Sequence, residues 1–143
     1  MKTLLLAATA ALGIGTMAQA DEVPSLVTIL TSGEPQTQLM GMVLTMQAMQ
    51  QDANAYILLC GPAGDLALKD APASATAPQK PRDMSPQGLM QKIMQSGATV
   101  EVCAIYLPNK GIDATALLNG ISAAKPPEVA ARILSDDTQI MSF

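Results

Sequence analysis

Residues 26–31 read LVTILT, an unbroken apolar and β-branched run that stops at Ser32-Gly33-Glu34-Pro35. A run this short, apolar towards both faces and followed by helical spacing, predicts a central strand of a parallel sheet. Residues 36–51 supply the helix. Leu39, Met42, Val43, Met46 and Met49 fall on one face, with Gln36, Gln47, Gln50 and Gln51 turned to solvent. Asp52-Ala53-Asn54 closes that helix, and residues 55–60 (AYILLC) form a second buried strand. Strand, helix and strand in this compass make a crossover unit, which is almost always right-handed.

The alternation continues downstream. Gly61-Pro62-Ala63-Gly64 is a turn, and residues 71–83 (APASATAPQKPRD) show no periodicity, so the long Pro/Ala-rich connection 61–84 is expected to be a lid, a binding loop or a contact arm. Ser85-Pro86 restarts regular structure as N-cap and first helical residue, Leu89, Met90 and Ile93 supply an apolar face, and Gly97 suits the position after the helix. Residues 99–103 are a third strand, leading from Cys103 into a loop closed by Asn109-Lys110-Gly111. Asp113 caps a short helix at 114–119, residues 121–124 are a short strand, and Lys125-Pro126-Pro127 opens a helix with Val129, Ile133 and Leu134. Residues 139–143 (QIMSF) end the series as a fifth strand. This order predicts an α/β fold, a doubly wound parallel sheet of about five strands with helices on both faces. Such sheets carry their sites beyond the carboxyl ends of the strands, so residues 32–35, 60–64 and 103–110 share the site-bearing edge.

The first twenty residues stand apart. Lys2, an apolar run over residues 4–17 and Ala18-Gln19-Ala20 before Asp21 have the form of a secretory signal cut after Ala20. The run is short for a spanning helix, so a membrane anchor is not expected, and the destination expected is the periplasm. Residues 21–143 then form a single domain with a proper core. Without Lys2, seven of the eight basic residues remain against twelve acidic ones, a net charge of −5. With no basic cluster and three aromatic residues in all, the chain is a poor binder of nucleic acid or of an anionic membrane.

There is no histidine and there are only two cysteines, so a thiol is the strongest nucleophile present. Cys103 ends the third strand, within GATVEVCAIYLPNKG (residues 97–111). Its bland alternative is a small buried hydrophobe, since reactivity needs exposure and a lowered pKa. Lys110, with the amides near Pro108-Asn109, would favour a thiolate. Cys60 ends the second strand. In the common strand order 2-1-3-4-5 the first strand separates the two cysteines by two strand spacings, roughly 9.5 Å. That exceeds the ~7 Å Cα limit for a bridge, so a permanent Cys60–Cys103 disulfide is disfavoured.

The opening strand LVTILT, the glycine-rich exit of the second strand, the block GATVEVC (97–103) with Lys110-Gly111 after it, and the closing strand QIMSF resemble the DsrE/DsrF-like family of small sulfur-relay proteins over residues 26–143. The resemblance implies a flavodoxin-like sheet and a trimeric or hexameric homo-oligomer. It also implies that Cys103 accepts sulfane sulfur as a persulfide and passes it on. Sulfur donor and acceptor would be thiol proteins or small sulfur species, with no cofactor and no metal. Lys110, Asn109 and Cys60 would be supporting residues. Family members known for this activity are cytoplasmic, whereas this chain carries an export signal and a long Pro/Ala-rich insertion. Export points away from tRNA thiolation and towards periplasmic sulfur or thiol transfer.

Two rival readings remain open. One is a non-catalytic binding or assembly module that uses its long loop for contact. The other is a Cu(I) site built from Met40, Met42, Met46 and Met49, soft ligands at helical spacing, against which stands the usual use of such methionines as core filler. Met90 and Met94 lie on a different helix. Ser32-Gly33-Glu34 lacks the glycines and lysine of a phosphate loop. Asp65, Asp70 and Asp136-Asp137 read as loop and turn residues.

Overall fold

The computed structural model describes residues 23–143, so the secretory leader expected at residues 1–20 lies outside the described residues. Five strands form one all-parallel sheet: β1 (Ser25–Leu30), β2 (Asn54–Leu59), β3 (Thr99–Val102), β4 (Ser122–Ala123) and β5 (Thr138–Ser142). The helices are α1 (Pro35–Met49), α2 (Ala73–Thr76), α3 (Pro86–Gln95), α4 (Tyr106–Lys110) and α5 (Pro126–Ile133). The α/β, flavodoxin-like class expected from the sequence is therefore the class observed.

The strand order is β4-β3-β2-β1-β5, not 2-1-3-4-5. From β1 the chain steps outward through β2 and β3 to β4, then returns past β1 to lay down β5. Crossovers keep one hand, so a reversed step must cross on the opposite face. The packing follows that rule. Met42 of α1, Leu89, Met90 and Ile93 of α3, and Tyr106 and Leu107 of α4 share a core with Leu30, Ile57, Leu59, Val100 and Val102. Val129 of α5 packs on the other face with Val27, Tyr56 and Leu58.

Local signals explain most boundaries. Glu34 caps α1 by accepting the Thr37 amide (2.8 Å), and Pro35 opens the helix. That amide and the Gln36 amide hold the Glu34 carboxyl below its usual pKa. Ser85 caps α3 by accepting the Gly88 amide at 3.1 Å, with Pro86 first in the helix, as the sequence predicts.

The α1 face is the expected one at Leu39, Met42, Met46 and Met49, which lie in or against the core, but not at Val43. The buried residues are Gln38, Gly41, Met42 and Thr45, while Val43 is exposed. Two local interactions turn the helix this way. A methyl group on Gly41 would sit 3.3 Å from both Leu30 and the Phe143 ring, so the glycine lets the helix close onto the sheet. Thr45 gives its hydroxyl proton to the Gly41 carbonyl (2.8 Å), leaving Thr28 to donate to Thr45 Oγ1 at 2.7 Å. Thr45 is buried because its hydroxyl is satisfied, which period alone does not reveal.

The long connection is also more ordered than its composition suggests. Gly61–Ala67 is a 3-10 helix, α2 buries Ala75 in the main core, and Gln79 pairs with Met84 in a short antiparallel bridge. The segment lies against the body of the protein instead of projecting as an arm. No helix among the described residues is long and apolar enough to cross a membrane.

Thr45→Val removes the acceptor from a fully buried Thr28 hydroxyl and is expected to cost about 1–3 kcal/mol. The double variant Thr28→Val/Thr45→Val should recover part of that loss. Urea unfolding of the four proteins of this cycle measures both effects.

Candidate active site

The revised strand order changes what the two cysteines are to each other. β2 and β3 are neighbours, and Leu59 pairs with Val102, so the next residues, Cys60 and Cys103, leave the sheet side by side. Successive residues of a strand alternate faces, and both cysteines fall on the α5 side with Tyr56, Leu58 and Glu101. The Cα atoms are 5.1 Å apart and the sulfurs are joined. The disulfide disfavoured from the sequence is therefore present. The separation assumed β1 between the cysteines, and β1 is on the far side of β2.

Backbone bonds fix both cysteines from either side. The Cys60 amide donates to Leu30 O (2.9 Å) and its carbonyl accepts from Ala63 N–H (3.2 Å). The Cys103 amide donates to Leu59 O (2.8 Å) and its carbonyl accepts from Tyr106 N–H (2.8 Å). Both side chains are half-buried.

The bond borders a cleft of about 650 Å³ at the carboxyl edge, walled by Pro62, Ile105 and Tyr106, with Asp65, Asn109 and Lys110 as its polar groups. Ile105 stands at 70% exposure on this wall. Residues 106–110, expected as loop, are the helical turn α4, which Gly111 ends in the left-handed region. The crevice at the topological switch, between β1 and β5, is separate from this cleft. Thr31 donates there to the Phe143 carbonyl through both its amide (2.8 Å) and its hydroxyl (2.7 Å), and residues 32–35 do not line the cleft.

Lys110 is in the cleft, but its ammonium is bound to Asp65 Oδ1 at 2.5 Å. Tyr106 donates its hydroxyl to the same oxygen at 2.6 Å. Burial first, then that hydrogen bond and the Asp65 charge, push the Tyr106 phenol well above its ordinary range. Asn109 spends its side-chain amide on the Ile105 carbonyl (2.7 Å). The lysine charge beside the cysteines is thus balanced by a carboxylate. Asp65 and Tyr106 were not visible as site residues. The one available signal was Gly64: a methyl group there would fall 2.3 Å from the Tyr106 ring, so the glycine makes room for the aromatic wall.

Of the four α1 methionines, Met42, Met46 and Met49 lie in or against the main core. Met42 is fully buried while Met40, two residues away, is half exposed. Among the described residues no group of three or more His, Cys, Asp or Glu is placed to hold a metal ion. A second hollow, of about 490 Å³, lies at the opposite edge of the sheet. Its Tyr56 hydroxyl is committed to Glu101 (2.6 Å) and its Arg132 stacks 4.7 Å over the Tyr56 ring.

No protein-family model matches the chain, and no curated protein does. Solved structures do. The protein of unknown function MTH1491 from Methanobacterium thermoautotrophicum is similar at a TM-score of 0.61 and 11% identity, over 85% of this chain and 100% of that one. The ychN protein from E. coli is similar at a TM-score of 0.58 and 20% identity, over 83% and 99% of the two chains. At such identities these likenesses carry the fold alone, and they agree with the α/β sheet expected from the sequence.

Two measurements probe the cleft wall. Gly64→Ala forces the Tyr106 ring aside and should destabilise the protein by about 1–3 kcal/mol through overpacking, read by urea unfolding. In the unfolded chain tyrosine ionises near pH ~10, whereas Tyr106 keeps its proton to higher pH when folded. Stability is therefore intact below that pH and should fall as pH rises through it. Tyr106→Phe should flatten the decline.

Proposed function

We propose that this protein is a DsrE-like sulfur handler of the periplasm, in which Cys103 takes up sulfane sulfur once the Cys60–Cys103 bond has been reduced. The observation that carries the reading is the placement of the only two thiols of the chain on neighbouring strand ends, beside an open cleft at the carboxyl edge. Parallel sheets keep their sites at that edge. The leader form of residues 1–20 supports export, and an oxidising compartment suits the bridged state. Self-assembly is part of the proposal. Met40, Val43 and Leu44 form an exposed apolar stripe on α1, which suits contact with another copy.

The chemistry is nucleophilic. A Cys103 thiolate attacks the outer sulfur of a persulfide R–S–SH, forming Cys103–S–SH and releasing RS⁻; an acceptor thiol later removes the sulfur. Ile105 and Pro62 provide an apolar wall for the group R. Lys110, already neutralised by Asp65, adds little net charge to the approach.

The same disulfide favours one rival, a non-catalytic binding module stapled by its bridge. Intact-mass measurement separates the two. Pre-reduced Cys60→Ser protein treated with glutathione persulfide is expected to gain about 32 Da, one sulfur atom, and Cys103→Ser protein to gain none at that position. Oxidised wild-type protein should gain nothing. If Cys60→Ser also stays unmodified, sulfur uptake is refuted and the stapled module stands.

A further inference from the structure

Resting on the reading that Cys103 accepts sulfane sulfur, we propose that Cys60 is a resolving thiol, so that the protein discharges the sulfur reductively as sulfide and returns to the disulfide. The substrate class is a low-molecular-weight persulfide. The reductant that reopens the bond is a dithiol of the thioredoxin class.

The geometry points to discharge over storage. A protein that stores a persulfide must keep other thiols away from it, because a neighbouring thiolate attacks the inner sulfur and expels the outer one. Here the second thiol is held at bonding contact by the sheet itself. The amide and carbonyl of each cysteine are all in backbone hydrogen bonds that do not involve the sulfurs. Reducing the bond therefore leaves the two Cα atoms near their 5.1 Å separation. Both side chains stay on the same face of neighbouring strands, and a persulfide on Cys103 meets Cys60 at its inner sulfur.

The steps balance. Uptake gives Cys103–S⁻ + R–S–SH → Cys103–S–SH + RS⁻. In resolution, Cys60–S⁻ + Cys103–S–SH → Cys60–S–S–Cys103 + HS⁻. The bond between the inner and outer sulfurs breaks and the bond between the two cysteines forms. The sulfane sulfur takes up two electrons and leaves as hydrosulfide, while the two cysteine sulfurs are oxidised to the disulfide. A dithiol R′(SH)₂ then reduces that disulfide to two thiols and becomes R′S₂. Proximity of this kind converts an encounter between two molecules into an internal reaction, a gain that reaches many orders of magnitude when the atoms are well placed.

A single-turnover experiment tests this with the full chain. Pre-reduced wild-type protein, freed of reductant, is mixed with one equivalent of glutathione persulfide, and sulfide, free thiol and intact mass are followed. Wild type is expected to release about one sulfide per chain, lose both thiols and carry no added sulfur. Cys60→Ser is expected to keep the added sulfur and release sulfide on the order of a hundredfold more slowly until an external dithiol is supplied. Circular dichroism confirms that the variant is folded, and the wild-type stoichiometry stands without any variant. Wild type that keeps the added sulfur as Cys60→Ser does would overturn resolution and leave sulfur carriage intact. No adduct on Cys60→Ser, with no sulfide from wild type, overturns the underlying reading. An adduct trapped by Cys103→Ser and not by Cys60→Ser overturns the assignment of the two roles.

Discussion

The in-register parallel pairing of β2 with β3 is the constraint on which the site depends, because it alone decides that two cysteines 43 residues apart emerge next to each other. Neighbouring strands are about 4.8 Å apart and paired residues face the same side, which suits the Cα spacing of a disulfide. One strand inserted between them would double the distance and abolish the bond. The pairing rests in turn on the core beneath it, where Ile57, Leu59, Val100 and Val102 are essentially sealed from solvent against α3 and α4.

The reversal after β4 has a second consequence for the site. Three of the crossovers pass on one face, and only the eight-residue α5 covers the other. The cysteines lie on that face at the ends of their strands, so they are half-buried where Tyr56 and Leu58, further back on the same face, are buried. A thiol pair placed one position earlier in either strand would sit in the main core, out of reach of any donor. Accessibility here is a matter of strand phase together with position at the strand end.

The class of fold was legible because it is written in local patterns: short apolar runs separated by helical periods, with Ser85-Pro86 and Asp113 as caps. Strand order was not, since any parallel sheet of five such strands satisfies the same patterns. That single missing fact reversed the expectation for the cysteines. The α1 face was legible at Leu39, Met42, Met46 and Met49, while the burial of Gln38 and Thr45 was missed for a different reason. Thr45 and Gln38 are polar by type, but each reaches a partner from its buried position, Thr28 for one and the Ser32 carbonyl (2.8 Å) for the other. Cys103 and Lys110 could be picked out as candidates from residue type and position. Asp65 and Tyr106 could not, because their meeting across 41 residues is a product of the tertiary fold.

Whether the bridge serves stability or chemistry turns on what else holds its ends. By chain entropy, a bond closing a loop of 43 residues stabilises by about 4 kcal/mol at most. A small domain without a core would depend on that contribution, but this one has sheet hydrogen bonds on both cysteines and a core on each face. The ends stay together when the bond opens, so reduction costs the loop entropy without dismantling the site. A bond that can open without unfolding the protein can also close again in the same place. That reversibility, supplied by the backbone on both sides of Cys60 and Cys103, is what a cycle of reduction, sulfur uptake and resolution requires.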